Sequence, residues 1–469
     1  WSVCAMVFSN LIFLYLFLPV CLIFYFLCQN IRAKNAVLIV FSLIFYAWGE
    51  PVYLLLMLAS VAVNWGFGLL IERRRKKVFL ILALVLDLGC LAVFKYAGFF
   101  VENLNALFRI SLTVPQIPLP IGISFYTFQI LSYIVDVYRG SVSVQHSYPR
   151  FLLYVSLFPQ LIAGPIVRYS DVEKEMSARK TEPEEIFYGV TRFRIGLAKK
   201  ILIADYAGKA ASQLLDGNLA AQSTLGVWFG VLLYAFEIYF DFSGYSNMAV
   251  GLGKTLGFDF PENFDYPYSA HGIRDFWRRW HMSLTGWFRE YLYIPLGGNR
   301  KGRARQILNT MIVFAATGIW HGANLTFILW GLMHGILMCV ETLIFKRRKL
   351  KSPAAWLYTI IIVIIGFVIF RADSVGYAFA YIGRMFSFVT EASAMTVTLS
   401  VLTPVFIATF TAAVVMMFPV VPAIRRRLDG RPSYAAVNTL CYIAMFGLYF
   451  LCVLTLAADS YNPFIYFRF

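Results

Sequence analysis

Apolar stretches long enough to cross a bilayer recur along this chain. They include Val7–Cys28, Val52–Ile71, Val78–Phe100, Leu225–Leu252, Ala354–Phe370, Leu402–Val421 and Ala435–Ala457. A hydrocarbon core of about 30 Å needs roughly 20 apolar residues of helix to span it. Inside lipid every backbone polar group must be bonded internally, so a chain of this kind folds as helices. Shorter or more polar candidates lie at Ala36–Trp48, Leu119–Val137, Phe151–Val167 and Ile186–Ala204. With a hairpin described below they give an expected 11 to 13 membrane elements in one all-α polytopic domain over 1–469. Composition agrees, with 60% hydrophobic and only 14% charged residues.

The net charge of +16 raises nucleic acid as a partner, but the cations sit in short loops between apolar runs. That is the pattern of membrane topology, in which basic loops stay cytoplasmic. The loops Arg32–Lys34, Arg73–Lys77, Arg192–Lys200, Arg274–Arg305, Lys346–Lys351 and Arg425–Arg431 are expected on that side. This puts both termini outside a plasma membrane whose bilayer is the first partner, and leaves residues 101–274 unthreaded. The first apolar run lacks a basic leader and a small-residue cleavage site, so it reads as a retained span. The chain begins at Trp1, and Met6 is the expected initiator. The seven cysteines show no C-x-x-C spacing and lie mostly in apolar runs, where cysteine behaves as a small hydrophobe. No metal site is expected.

Residues Ile307 to Val340 contain no Asp, Glu, Lys or Arg, yet carry Trp320-His321-Gly322-Ala323-Asn324 and His334. A histidine at membrane depth is costly unless partnered and points to function. Basic residues flank the run on both sides, so it is expected to enter the membrane and return as a hairpin over 307–340. Its first arm, Ile307 to Trp320, gives roughly 21 Å of helix and leaves His321 part-way through the bilayer near a break. Imidazole titrates near neutrality and suits general-base work. Trp320 adds a wall and Asn324 an orienting amide; His334 reads equally as a structural or a functional group.

From Ile273 to Tyr291 the sequence predicts one amphipathic helix in the membrane interface. Its apolar face carries Phe276, Trp277, Trp280, Leu284, Trp287 and Phe288; Arg274, Arg278, His281, Thr285 and Arg289 share another face. That cationic face reads either as an anchor on anionic lipid or as a receiver for the phosphates of a coenzyme A or phosphopantetheine donor. Arg300 and Lys301, in the glycine-rich turn after it, extend the same donor-binding expectation. Tyr234, Glu237, Asp241 and Tyr245 form a polar stripe on a membrane helix, for which Arg192, Arg194, Lys199 or Lys200 are the expected structural partners.

Six stretches together resemble the membrane-bound O-acyltransferase family, in the branch of the alginate-acetylation and teichoic-acid D-alanylation proteins. They are Met6-Val7-Phe8-Ser9, Phe240-Asp241-Phe242-Ser243-Gly244-Tyr245-Ser246, Pro261-Glu262-Asn263-Phe264, Asp275-Phe276-Trp277-Arg278-Arg279-Trp280-His281, Tyr291 to Gly302, and Trp320-His321-Gly322-Ala323-Asn324. The resemblance implies a ring of membrane helices around a thinned centre and tunnel. It implies that His321 is the catalytic histidine and His281 the second family histidine. It also implies an acetyl group passed from cytoplasmic acetyl-CoA, with no resident cofactor, to an extracytoplasmic polysaccharide through a partner transferase. D-alanyl transfer from a carrier protein to teichoic acid is the alternative within the family. A transporter or flippase for a lipid-linked sugar is the alternative of another class; it predicts paired, interrupted helices in two repeated halves, and the chain shows no internal repeat.

Overall fold

The computed structural model describes residues 6–74, 76–345, 351–390, 392–428, 430–431, 433–458 and 464–465. Every regular element among them is helical. Among the described residues seven helices are long and apolar enough to cross a membrane: Ile31–Gly49, Pro51–Arg74, Lys77–Phe108, Thr224–Thr255, Leu325–Ile344, Pro353–Arg371 and Ala436–Ala458. A broken pair, Pro404–Met416 and Val420–Leu428, bent by 65°, has the length and apolar character of one further span or of a re-entrant loop. Their starts follow local chemistry. Asn30, Ser352 and Thr403 each accept a backbone N–H from the first turn they precede, and Pro353 and Pro404 occupy the first helical position, where no N–H is needed. Leu440, Ile443, Phe446 and Phe450 stay exposed on the last helix. In water such a surface would be a liability; in a bilayer it faces lipid.

Of the shorter candidates, Ala36–Trp48 lies within Ile31–Gly49, and the other three form helices that are not long and apolar enough to count among the seven. The candidate Leu119–Val137 is a 17-residue helix, Ile123–Arg139, buried along most of its length. Phe151–Val167 breaks into Tyr148–Ser156 and Phe158–Leu161 at Leu157, whose ψ of 111° leaves the helix, and Pro159 then sits in the first turn of the second helix, where its missing N–H costs nothing. Ile186–Ala204 is the helix Pro183–Ala198 running into the π-helical turns Lys199–Ala204. Two further π segments lie at Phe13–Phe17 and Arg289–Tyr293.

The packing groups the chain into two compact units: Trp1–Phe193 with Ser246–Glu262, and Arg194–Tyr245 with Asn263–Phe469. The first is centred on aromatic residues. Phe8, Phe13, Phe17, Phe45 and Phe158 pack with ring centroids 5.0 to 6.5 Å apart, and Tyr133, Tyr154 and Tyr169 pack tilted or edge-on beside Phe151. Arg192 binds Glu262 through both guanidinium nitrogens and also reaches Asn247.

The second unit holds the hairpin. Its first arm is the helix Arg303–His321 and its second is Leu325–Ile344. The first arm therefore begins in the basic turn itself; its 19 residues amount to about 28 Å of helix. The basic segment 346–350 that follows the second arm lies outside the described residues. The arms meet through glycine. A Cβ on Gly331 would run into the carbonyl oxygen of Phe314, and one on Gly318 into that of Phe327. Gly331 and Gly335 have the four-residue spacing that lets helix backbones approach closely in a membrane. In the same unit a Cβ on Gly244 would lie 2.8 Å from the Gly196 carbonyl oxygen, so this glycine lets two helices pack closely.

Candidate functional site

His321 is the last residue of the hairpin's first arm. Gly322 is extended, and Asn324 then caps the second arm by accepting the Thr326 N–H at 3.0 Å. The imidazole is 4% exposed and walled by aromatic rings. Trp330 stands perpendicular to it at 5.1 Å, Phe370 nearly so at 5.2 Å, and Trp320 lies at 5.0 Å. Trp330 comes from the second arm and Phe370 from the end of Pro353–Arg371, so three helices build one pocket around one ring.

Trp320 also contacts the other expected histidine, with ring centroids 6.0 Å apart. His281 is held by unusual backbone geometry. The predicted continuous helix Ile273–Tyr291 does not form. Ile273–Trp277 ends, His281 adopts a left-handed conformation at φ 43°, and a new helix, Met282–Phe288, starts after it. Sterically this region is nearly closed to residues other than glycine, and histidine is among those that enter it most readily. Periodicity cannot reveal such a break, because the apolar spacing continues across it. The outcome is a histidine turned inward and 1% exposed rather than one on a cationic face.

Asn263 fixes the inward imidazole. Its Oδ1 lies 3.0 Å from His281 Nδ1 and also accepts the Ser283 hydroxyl at 2.9 Å. An oxygen acceptor at Nδ1 selects the tautomer carrying its proton there, which leaves Nε2 with the lone pair. Phe242 stands edge-on to the other side of the ring at 4.7 Å and 87°. His281 lies outside the spanning helices, and burial pushes its pKa down to about 3. The ring is therefore neutral at physiological pH, suited to hydrogen bonding more than to carrying a proton.

The segment leading to His281 is anchored by a carboxylate one residue beyond the uncharged run. Glu341, 2% exposed, accepts the N–H of Ile273 at 2.6 Å and that of Arg274 at 3.0 Å. Thr359 accepts the Gly272 N–H at 2.6 Å. Both acceptors sit on membrane helices, so a polar tether fixes the Ile273–Trp277 turn against the hairpin. Arg274 is bound up here, with Nε 3.5 Å from Glu341. Arg278, Arg289, Arg300 and Lys301 remain exposed.

His334 lies on the second arm between Trp330, at 5.2 Å, and Trp277, at 5.3 Å. Its Nδ1 is buried without a hydrogen-bond partner among the described residues. A Cβ on Gly366 would come 3.0 Å from its Nε2, so the ring fits closely against that helix. Aromatic contacts thus run His281–Trp320–His321–Trp330–His334. Asn324 is not oriented toward this chain of rings: its Oδ1 caps the second arm and its Nδ2 donates to the Asp373 carbonyl at 2.9 Å. Asp241 pairs with Lys200 Nζ at 2.9 Å, which is one of the partners expected for it. Asn263, Glu341, Phe242, Trp330 and Phe370 had no assigned role in the sequence. Asn263 was visible within the Pro-Glu-Asn-Phe motif, and Glu341 as the first charge after the uncharged run.

Residues 80–375 match the sequence model of the membrane-bound O-acyltransferase family. A probable alginate O-acetylase of Pseudomonas putida is 37% identical over 99% of this chain and 100% of its own length. One from Pseudomonas aeruginosa is 42% identical over 82% of this chain and 76% of its own. A peptidoglycan O-acetyltransferase of Helicobacter pylori is 36% identical over 79% of this chain and 77% of its own.

Proposed function

The chain belongs to the membrane-bound O-acyltransferase family, and on that premise we propose that it O-acetylates an extracytoplasmic polysaccharide with acetyl-CoA as donor. It is a multi-pass membrane enzyme of acyl transfer to oxygen. Relatives named for alginate and peptidoglycan acetylation support acetyl as the group moved and a polysaccharide as its destination. An extracytoplasmic partner transferase completes the delivery.

The enclosure of His321 by Trp320, Trp330 and Phe370, one indole away from His281, carries this reading. His321 takes the proton of an acceptor hydroxyl as its oxygen attacks the thioester carbonyl. The new C–O bond gives a tetrahedral oxyanion, the C–S bond breaks, and the proton passes to the departing thiolate. A base so placed contributes typically about 10²–10⁴-fold. Neutral His281, its Nδ1 proton directed at Asn263, offers Nε2 as an acceptor that orients a hydroxyl or thiol. The aromatic walls exclude water, which limits hydrolysis of the thioester. Arg278, Arg289, Arg300 and Lys301, exposed on the face read as cytoplasmic, meet the donor phosphates.

The test is His321→Ala, with membrane levels measured beside ester-linked acetate and D-alanine on surface polymers. The expected outcome is loss of acetate by about 10²-fold or more at unchanged protein level. Acetate at the wild-type level removes His321 from the chemistry. Loss of D-alanine alone reassigns the donor.

A further inference from the structure

Asp241 lies inside the helix Thr224–Thr255 and is 2% exposed. Besides Lys200 it receives a donor from far along the chain: the backbone N–H of Ile465 reaches its Oδ2 at 2.7 Å. Phe464, next to it, is also 2% exposed. Its ring lies 4.9 Å from Tyr245 and 5.8 Å from Phe242. Phe242 is the ring that stands edge-on to His281. Two residues that follow the last helix, which ends at Ala458, are thus built into the wall behind the site.

Apolar burial alone does not explain this. Lipid is as apolar as a protein interior, so Phe464 and Ile465 gain little hydrophobic energy by leaving it. A main-chain N–H does gain, because lipid offers no acceptor and Asp241 offers a charged one. The hydrogen bond gives the segment its address, and the phenyl ring then fills the space beside Phe242.

We propose that Phe464–Ile465 is a positioning element of the acyl-transfer site, pinned through Asp241 and backing Phe242 so that the His281 ring is held against Trp320. The inference rests on the reading that His281 and His321 carry the reaction. Neither tail residue touches the reacting atoms; both act through Phe242. A site group displaced by about 1 Å can lose 10²-fold in rate, so small movements at Phe242 have large effects.

Ile465→Pro removes the N–H while keeping an apolar side chain. Phe464→Ala keeps the main-chain bond and removes the backing ring. Turnover of acetyl-CoA by the purified full-length protein in lipid, supplied with a hydroxyl-bearing oligosaccharide as acceptor, is followed as free thiol, with kcat and KM separated. Each variant is expected to lower kcat about 10²-fold with KM for acetyl-CoA within about twofold. Ile465→Val and Phe464→Leu, which keep the N–H and the bulk, are expected to recover most of kcat. Wild-type kcat in either disruptive variant, a loss matched by lower protein per membrane, or a loss expressed in KM overturns the proposal. His321→Ala runs beside them. If it alone is inactive, only the positioning role fails; if it turns over normally, the reading of the site fails with it.

Discussion

Asn263 makes one side-chain oxygen serve His281 Nδ1, the Ser283 hydroxyl and the Ser283 N–H. That shared acceptor keeps the imidazole in a single tautomer. Burial then holds the pKa near 3 against an ordinary 6.5. Between those values the unfolded chain binds a proton that the folded one refuses, so stability rises with pH across that window. The contribution is fully present above 6.5 and is lost as pH falls toward 3. The thermal midpoint in detergent is expected to drop on acidification from pH about 7 to 4.5, and His281→Gln to flatten that drop. Equal slopes in the two proteins count against a neutral buried imidazole. At this scale the histidines were legible because titratable groups are conspicuous in an apolar chain. Their shared aromatic enclosure was not: Trp330 and Phe370 look like any large residues on membrane helices, and Asn263 meets His281 only because a loop folds back.

The elements show the same division. Capped starts such as Ser352-Pro353 and Thr403-Pro404 are readable locally, since cap and proline act within one turn. The break at His281 is a tertiary result: Glu341 and Thr359 tether one end of the segment, while Asn263 holds the ring beyond it. The hairpin's two arms were legible from the uncharged run, but their close crossing depends on glycines whose packing has no periodic signature. Gly331→Leu is expected to destabilise the protein by about 1–3 kcal/mol, read as a lowered thermal midpoint, because it overpacks a backbone contact. Gly89→Ala, in the interior of the helix Lys77–Phe108, is the comparison. A Cβ there meets nothing within 4 Å, and replacing a mid-helix glycine stabilises by about 0.5–1 kcal/mol. If both substitutions behave alike, the hairpin contact is not limiting.

For the whole molecule, apolar runs and loop charge convey a multi-pass membrane protein directly, and the family motifs alone convey that it is an enzyme. The apolar runs overstate how many cross unaided, because a helix buried inside protein, such as Ile123–Arg139, tolerates Gln129, Ser132 and Asp136 that lipid would reject. The division into two compact units leaves no mark in composition at all. Sidedness remains a consequence of the basic loops. In a cysteine-free background, a cysteine at Lys301 is expected to react with an impermeant maleimide only after the membrane is opened, and one at Asp373 in intact cells. The reverse pattern overturns the orientation on which a cytoplasmic donor depends.

The π turns at Phe13–Phe17, Lys199–Ala204 and Arg289–Tyr293 each hold one residue more than an α-helical turn needs. Such a turn is a reservoir of chain length. A one-residue deletion inside it lets the helix close in α form, whereas the same deletion in Asp205–Leu215 would rotate every following side chain of that helix by about 100°. Tolerated single-residue deletions should therefore cluster in these three places, letting the chain change length by one without changing which faces its helices present.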